Sequence, residues 1–313
     1  MTRDFDHDGL ERAISNKALE QPRNPLIPRT PPKPTPAFSL NSHEWNTRNL
    51  PWRIASDITA AACASGLVAP LITIIDRAII ENASNRSTLR ASIISSTKFL
   101  LTRPHLFLSS RPALLISGLY FGTYAVANTI DTISSTLSNK SADTVTSGPA
   151  KFMGTSSVNM SLCLYKDSQF AKMFGPPPSL GGAVAKTVPA VSYGLFALRD
   201  SLTIFASFNL PPLIAPVLPL SKEVEKQVSR ASVAQFLAPA GIQLLSTPLH
   251  LWGLDLYNRP MGNGTPWTAR VSKVSKDWFG SSLARMGRIV PAFGVGGVVN
   301  ARVRAGMIGR VEE

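Results

Sequence analysis

Hydrophobic residues are gathered into long uncharged stretches, and the charged residues are clustered between them. Four windows contain no Asp, Glu, Lys or Arg: 58–75, 112–130, 201–221 and 231–254. A window of about 18 or more uncharged residues can cross the ~30 Å hydrocarbon core of a bilayer. The pattern predicts an all-α membrane protein. The alternative, a soluble all-helical protein, is disfavoured because several segments lack the polar face of a surface helix.

A basic residue followed by Pro-Ala and a glycine recurs three times, each time at the start of an apolar stretch. The copies begin at Arg111, Lys186 and Arg288, and the apolar stretches ahead of them end near Asp76, Asp167 and Asp255. Two hydrophobic segments used three times indicate six transmembrane helices in three pseudo-repeats. The predicted spans are about 56–82, 112–137, 152–174, 187–208, 231–257 and 288–308.

The remaining segments are polar or amphipathic. Residues 1–50 are rich in proline and predict a disordered tail. Residues 51–310 form the predicted membrane domain, with repeats at about 52–137, 150–208 and 231–310. Segments 87–101 and 266–283 mix basic and apolar residues, which is typical of helices lying on a membrane surface. Pro70 and Pro248 fall inside the first and fifth spans, where proline kinks a helix.

The distribution of charge indicates a membrane rather than nucleic acid. The net charge is +13, but no basic face with interleaved aromatic residues and no nucleic-acid-binding module is present. If both termini lie on one side, the connections 76–111, 166–186 and 255–288 together carry +10 and the rest of the chain +3. Such a bias fixes the orientation of a membrane protein. It also predicts contact between this basic face and anionic lipid head groups.

The sequence predicts neither an enzyme nor a cofactor. Cys63 and Cys163 lie in apolar segments, where a free thiol is usually a small hydrophobe. The four histidines are scattered, without a cysteine or carboxylate partner at metal-ligand spacing. No nucleophile elbow and no phosphate-binding loop occurs. We therefore predict no catalytic residue, no metal and no cofactor.

Two runs in the membrane domain resemble motifs of the mitochondrial carrier family. The first is Gly118-Leu119-Tyr120-Phe121-Gly122-Thr123-Tyr124, and the second extends from Trp278 through Arg285 and Arg288 to Pro291. The resemblance covers about residues 52–310. It implies a six-helix bundle of three repeats that transports a small solute by alternating access. It also implies a mitochondrial membrane, the inner rather than the outer, and a cardiolipin-like lipid on the basic face.

The chain departs from that family at the charged motifs that close the carrier cavity. Carriers have an acidic and a basic residue after the proline of each odd-numbered helix, but Ile72 and Ile75 occupy those positions after Pro70. Carriers also have an acidic and a basic residue after an aromatic residue of each even-numbered helix. Here Ala125 and Asn128 occupy those two positions after Tyr124, so both charges are lost. Two interpretations of the nearby charges stay open: helix ends in head-group water, which is the default, or a displaced closing network. These gate candidates are Asp76, Arg77, Lys166, Asp167 and Asp255.

One charged pair falls in the middle of a predicted span. Arg199 and Asp200 lie in the fourth span, and charges at mid-bilayer cost several kcal/mol unless they pair or face a cavity. They are candidate contacts for a small anionic or zwitterionic solute, and Asn300 on the sixth span is a third candidate. Alternatively, the pair lies near the membrane surface if the fourth span begins at about 180.

Two functions stay open for the whole chain. The first is a divergent solute carrier of the inner mitochondrial membrane that works around Arg199. The second is a non-transporting descendant of the carrier fold, used as a scaffold or interaction protein of a mitochondrial membrane. The sequence favours the first slightly, because Arg199 and Asp200 are costly to retain in a span. It gives no solute, no protein partner and no oligomeric state.

Overall fold

The computed structural model describes residues 45–146, 148–176, 187–219, 221, 229–261 and 264–312. These residues form helices α1 (Leu50–Ala83), α2 (Leu89–Thr102), α3 (Pro104–Leu108), α4 (Arg111–Leu137), α5 (Pro149–Phe174), α6 (Ala190–Ile214), α7 (Arg230–Gly241), α8 (Gln243–Asn258), α9 (Trp267–Gly287) and α10 (Gly297–Glu312). A 3₁₀ turn, Ala215–Val217, follows α6, and a π-helical segment, Val290–Gly296, precedes α10. The described residues include no strand, so the all-α prediction is confirmed. Most of the predicted tail, residues 1–44, lies outside the described residues, as does Lys186.

Proline marks where several helices begin. Pro51, Pro112 and Pro149 lie in the first turns of α1, α4 and α5, where a backbone N–H has no partner within the helix. The two prolines predicted to kink a span lie inside helices instead of ending them. Helix α1 continues through Pro70 and α8 continues through Pro248.

Two of the described helices are long and apolar enough to cross a membrane. These are α1 and α4, whose best windows have mean hydropathies of 2.1 and 1.3. Helical segments also occur near the other four predicted spans. Charged residues lie inside two of them, Lys166 and Asp167 in α5 and Arg199 and Asp200 in α6, and the other two consist of the shorter helices α7, α8 and α10, of 12, 16 and 16 residues. The finer prediction, a carrier arrangement of six spans in three repeats, is therefore not established by the fold.

Helix α1 lies at the centre of the packing. It contacts α4, α10, the π-helical segment, α2 and α9. Helix α5 packs on α4, α6 packs on α5, and α8 packs on both α6 and α9. Fully buried Ala60, Ala61 and Ala64 allow neighbouring helices to approach α1 closely. The main apolar core joins α1, α4, α5, α6 and α8, and it includes Ile72, Ile116, Phe170, Phe196 and Leu254.

Candidate substrate site between two buried polar networks

A buried network of ion pairs joins separate parts of the bundle. We call it the six-charge network; its members are Asp76, Lys166, Asp167, Arg199, Asp200 and Arg288. Asp76 of α1 lies between two cations: its Oδ2 is 2.8 Å from Lys166 Nζ, and its Oδ1 is 2.7 Å from Arg288 Nη1. Lys166 Nζ also lies 2.5 Å from Asp167 Oδ1. These pairs link α1, α5 and the residues just before the π-helical segment.

Arg199 extends this network to α6 and α8. Its Nη2 lies 2.7 Å from Asp167 Oδ2 and 2.6 Å from Asp200 Oδ1. Its Nε donates to the same Asp200 oxygen at 2.9 Å, and its Nη1 lies 2.8 Å from His250 Nδ1. A guanidinium can only donate, so His250 accepts through this nitrogen. Every nitrogen of the Arg199 guanidinium is therefore engaged.

The charges of this network balance within the interior of the protein. Arg199 is 2% exposed and Asp167 is fully buried, whereas Arg288 keeps 17% of its side chain exposed. A buried charge is costly unless an opposite charge or hydrogen bonds compensate it. Here three cationic side chains face three carboxylates, so the six-charge network carries no net charge.

A cavity of about 180 Å³ lies against the six-charge network. Four members of the network form part of its wall: Asp76, Lys166, Asp200 and Arg288. The rest of the wall is mixed, with hydroxyl, amide and thiol groups beside apolar side chains. The polar groups belong to Tyr120, Thr123, Tyr124, Asn159, Cys163 and Thr203. This mixture suits a small polar solute better than a lipid chain.

A second buried polar network lies toward the other end of α1. We call it the Asp57 network; its members are Asp57, Asn128, Thr132, Asn300 and Arg304. Arg304 Nε donates to Asp57 Oδ1 at 2.6 Å, and Thr132 Oγ1 donates to Asp57 Oδ2 at 2.6 Å. Asn128 and Asn300 exchange two hydrogen bonds of 2.9 and 2.8 Å. This network joins α1, α4 and α10.

The cavity lies between the two networks. Asp76, in its wall, belongs to the six-charge network, and Tyr124, also in its wall, is about one helical turn from Asn128 of the Asp57 network. Asp57 and Asp76 are about 28 Å apart along α1, at a rise of 1.5 Å per residue. That separation is close to the ~30 Å thickness of a hydrocarbon core.

The three predicted solute contacts occupy different surroundings. Asp200 lines the cavity. Arg199 is not part of the cavity wall, and it holds Asp167, Asp200 and His250 instead. Asn300 is paired with Asn128 in the Asp57 network. Asp200 is therefore the member of this predicted set that is positioned to touch a solute.

The predicted gate charges do not all meet. Asp76, Lys166 and Asp167 come together in the six-charge network, and they are buried instead of lying at helix ends in head-group water. Arg77 points elsewhere, because its Nε binds Glu81 of the same helix at 2.8 Å. Of the five charges that the sequence proposed for a displaced network, three are therefore joined in one buried network.

Asp255 also belongs to a separate group of charges. Its Oδ2 lies 2.6 Å from Arg270 Nη1, and its Oδ1 binds Arg259. This group connects α8 to α9 outside the six-charge network. Asp255 therefore joins α8 to a neighbouring element, and it does not contribute to the cavity wall.

The sequence interpretation missed the Asp57 network. Asn128 was taken as the loss of a carrier charge, yet its amide bonds both Asn300 and the Asp57 backbone carbonyl. Asp57 and Arg304 are 247 residues apart, so no local pattern could pair them. The available signal was the single acid just before the uncharged window 58–75. A lone buried carboxylate at that point requires a partner.

Within the described part of the chain, no group of three or more His, Cys, Asp and Glu side chains could hold a metal ion. The charges near the cavity are matched with each other instead. Lys166 and Arg288 occupy the two oxygens of Asp76, and a cation bound there would compete with both.

Comparison with known protein families corrects the resemblance to mitochondrial carriers. The family described as probable citrulline exporters matches residues 60–308, and the carrier family does not match. The resemblance was wrong because Pro, Gly and helix-end charges recur in many packed membrane helices. No curated protein and no solved structure matches the chain. A membrane location fits both the exporter family and the apolar helices α1 and α4. Since the match covers well over half of its length, the chain belongs to the family of probable citrulline exporters.

Proposed function

We propose that this protein exports citrulline, or a closely similar zwitterionic amino acid, through the cavity between its two buried networks. The observation that carries the proposal is a cavity of about 180 Å³ whose mixed wall contains both carboxylates and cations. An amino acid such as citrulline carries one ammonium and one carboxylate, and its ureido side chain is polar but uncharged. Walls with both signs of charge and several hydroxyl and amide groups complement each of these parts.

The two networks suggest how the solute passes. Each network crosses between helices on one side of the cavity, so each closes one route from the cavity to the surface. In our proposal the six-charge network and the Asp57 network open alternately. When a network opens, the charges of the solute replace the partners that its ion pairs lose. The solute then binds the open state more tightly than the closed state, and this difference in affinity shifts the equilibrium toward opening.

Arg199 has a positioning role in this mechanism. It binds Asp167 and Asp200 at once, so it holds the Asp200 carboxylate against the cavity wall. Its loss would remove the cation that holds Asp200 and leave Asp167 paired with Lys166 alone, which is a strongly destabilising change. The solute would then meet a rearranged wall.

The direct test is efflux of labelled citrulline from liposomes that contain the purified protein. We expect saturable efflux from the unaltered protein and at least a tenfold loss for Arg199→Ala. The matched control is Arg90→Ala, because Arg90 is an exposed cation on α2. Liposomes with and without anionic lipid also test the proposed contact of the basic face with acidic head groups. A protein that melts in one sharp transition but releases no amino acid would overturn the proposal in favour of a non-transporting scaffold.

The particular membrane is a finer part of the proposal. The inner mitochondrial membrane was implied by a resemblance that has been corrected, so it stays a prediction. Labelling of a single introduced cysteine in the connection 76–111 tests the membrane and the orientation. Ser84 is unsuitable as the position, since its hydroxyl is buried and donates to the Phe174 carbonyl at 2.7 Å. Ser95, which is exposed on α2, is a better position for a single cysteine. If the basic face lies on the matrix side of the inner membrane, a membrane-impermeant thiol reagent should not label a Ser95→Cys variant in intact mitochondria, and labelling there would contradict this placement.

A further inference from the structure

Two groups in the cavity wall have bonding capacity that the protein does not use. Asp200 Oδ1 is held by Arg199, but its Oδ2 is buried and has no hydrogen-bond partner among the described residues. Arg288 binds Asp76 through Nη1, 17% of its side chain is exposed, and it lines the cavity. Buried polar groups nearly always have a partner, and one without a partner calls for an explanation.

The remaining charges in the wall are occupied. Asp76 uses both of its oxygens, one on Lys166 and the other on Arg288. Lys166 is held between Asp76 and Asp167. Asp200 and Arg288 are therefore the two charged wall groups best able to accept a solute without giving up an existing bond.

We propose that Asp200 and Arg288 form the head-group site of the exporter, an assignment that rests on the proposed function. Asp200 Oδ2 accepts from the ammonium of an α-amino acid, and the free donors of Arg288 bind its carboxylate. A guanidinium matches a carboxylate in geometry because its N–H groups form a planar fork. Each charged end of the solute then meets the opposite charge.

The uncharged end of the solute faces a different part of the wall. Asn159 accepts at its Oδ1 from Thr123 Oγ1 at 3.4 Å, which leaves its amide N–H groups for a solute. Thr203 and Tyr124 line the same cavity. A ureido group both donates and accepts hydrogen bonds, so it suits these neutral polar groups. This part of the wall offers no carboxylate for a second cation.

The balance of charge predicts selectivity for a solute with no net charge. A zwitterion adds one charge of each sign to a network that is already neutral. A basic amino acid adds a second cation, and the nearby Arg285 is itself a buried cation bonded to the neutral Gln243 amide, Nε to Oε1 at 2.9 Å. The site is therefore expected to reject arginine and ornithine relative to citrulline.

Solute analogues separate a head-group site from a merely structural role. The probes are citrulline, its analogue without the ammonium group and its analogue without the carboxylate, each competing with labelled citrulline for the purified protein. We expect the unaltered protein to bind both analogues at least tenfold more weakly than citrulline. Asp200→Asn should weaken the binding of citrulline at least tenfold and leave the binding of the analogue without ammonium almost unchanged. Arg288→Gln should also weaken the binding of citrulline at least tenfold, and it should leave the binding of the analogue without carboxylate almost unchanged.

Cys163 gives an independent readout because its thiol lines the cavity, whereas Cys63 is exposed on α1. In a Cys63→Ser background, citrulline should slow the labelling of Cys163 by N-ethylmaleimide. Asp143→Asn is the control for Asp200→Asn, since Asp143 is exposed outside the cavity. If citrulline neither binds nor protects Cys163, the proposed function falls with the site. Two outcomes would overturn the head-group assignment and leave the function standing. In the first, the unaltered protein binds citrulline and both analogues with equal affinity. In the second, each variant loses affinity equally for all three probes.

Discussion

Gly296 of the π-helical segment lies at a close approach to neighbouring helices, where there is no room for a Cβ atom. A Cβ atom on Gly296 would lie 2.3 Å from Tyr124 Oη and 2.9 Å from Val68 Cγ1. The Tyr124 hydroxyl is not free to move without loss, because it donates to the Ala292 carbonyl at 2.7 Å. Gly296 therefore allows α1, α4 and the π-helical segment to meet at the edge of the cavity.

Replacing this glycine should destabilise the protein. We expect Gly296→Ala to lower the free energy of unfolding by about 1–3 kcal/mol, as for other overpacked interior sites. The matched control is Gly297→Ala, because no heavy atom lies within 4 Å of a Cβ at Gly297. Thermal unfolding in detergent measures both variants. An equal melting temperature for the two would show that Tyr124 and Val68 can move aside.

At the scale of elements, the π-helical segment decides which residues of the last helix face α1. Arg288 and Arg304 both bind aspartates of α1, although an uninterrupted α-helix at 3.6 residues per turn would direct them about 160° apart. A π-helix bonds each residue to one further along the chain, so it turns less per residue. The seven-residue segment Val290–Gly296 between the two arginines therefore brings them toward one face.

This geometry can be tested by changing the length of the segment. One alanine inserted between Val298 and Val299 rotates the rest of α10 by about 100° and takes Arg304 away from Asp57. Deletion of Val295, an exposed residue of the π-helical segment, leaves an α-helical path that directs the arginines only about 60° apart. We expect the insertion to abolish citrulline efflux and the deletion to retain most of it. Equal loss in both variants would contradict the proposed role of the π-helical segment.

At the scale of the whole molecule, the networks on the two sides of the cavity are built from long-range pairs rather than from one local motif. The Asp57–Arg304 pair connects α1 to α10, and the Asp76–Lys166 pair connects α1 to α5. Removing one partner of a buried pair leaves an uncompensated charge and usually costs about 3–5 kcal/mol. A weakened network should therefore open its own side of the cavity more often.

Labelling of Cys163 reports this opening. In the Cys63→Ser background, we expect Arg304→Ala to increase the labelling rate of Cys163 by a membrane-impermeant thiol reagent severalfold. Arg302→Ala is the control, since Arg302 is exposed on the same helix. Labelling of sealed vesicles from each side distinguishes opening of one network from general unfolding. Equal rates for the two variants would mean that the Asp57 network does not close the cavity.

The sequence predicted the elements better than their partners. Uncharged windows predicted helical segments close to those in the structure, because helix formation and apolar patterning are local properties. The carrier resemblance failed at the next level, since similar Pro, Gly and charge patterns fit more than one family of membrane helices. Arg199 is buried and paired, as the cost of a charge within a span requires, and it lies outside the cavity wall. It holds Asp200 in place, and Asp200 lines the cavity.

By itself, the sequence determined an all-helical chain with apolar helices and charges that must find partners. Those features follow from the local distribution of residues and from the cost of burying an unpaired charge. Only the tertiary structure decided the pairings of Asp57 with Arg304 and of Asp76 with Lys166 and Arg288. These contacts depend on how distant helices are rotated and packed against α1, and one extra residue in a helix changes the outcome. The cavity between the two networks is a product of that packing.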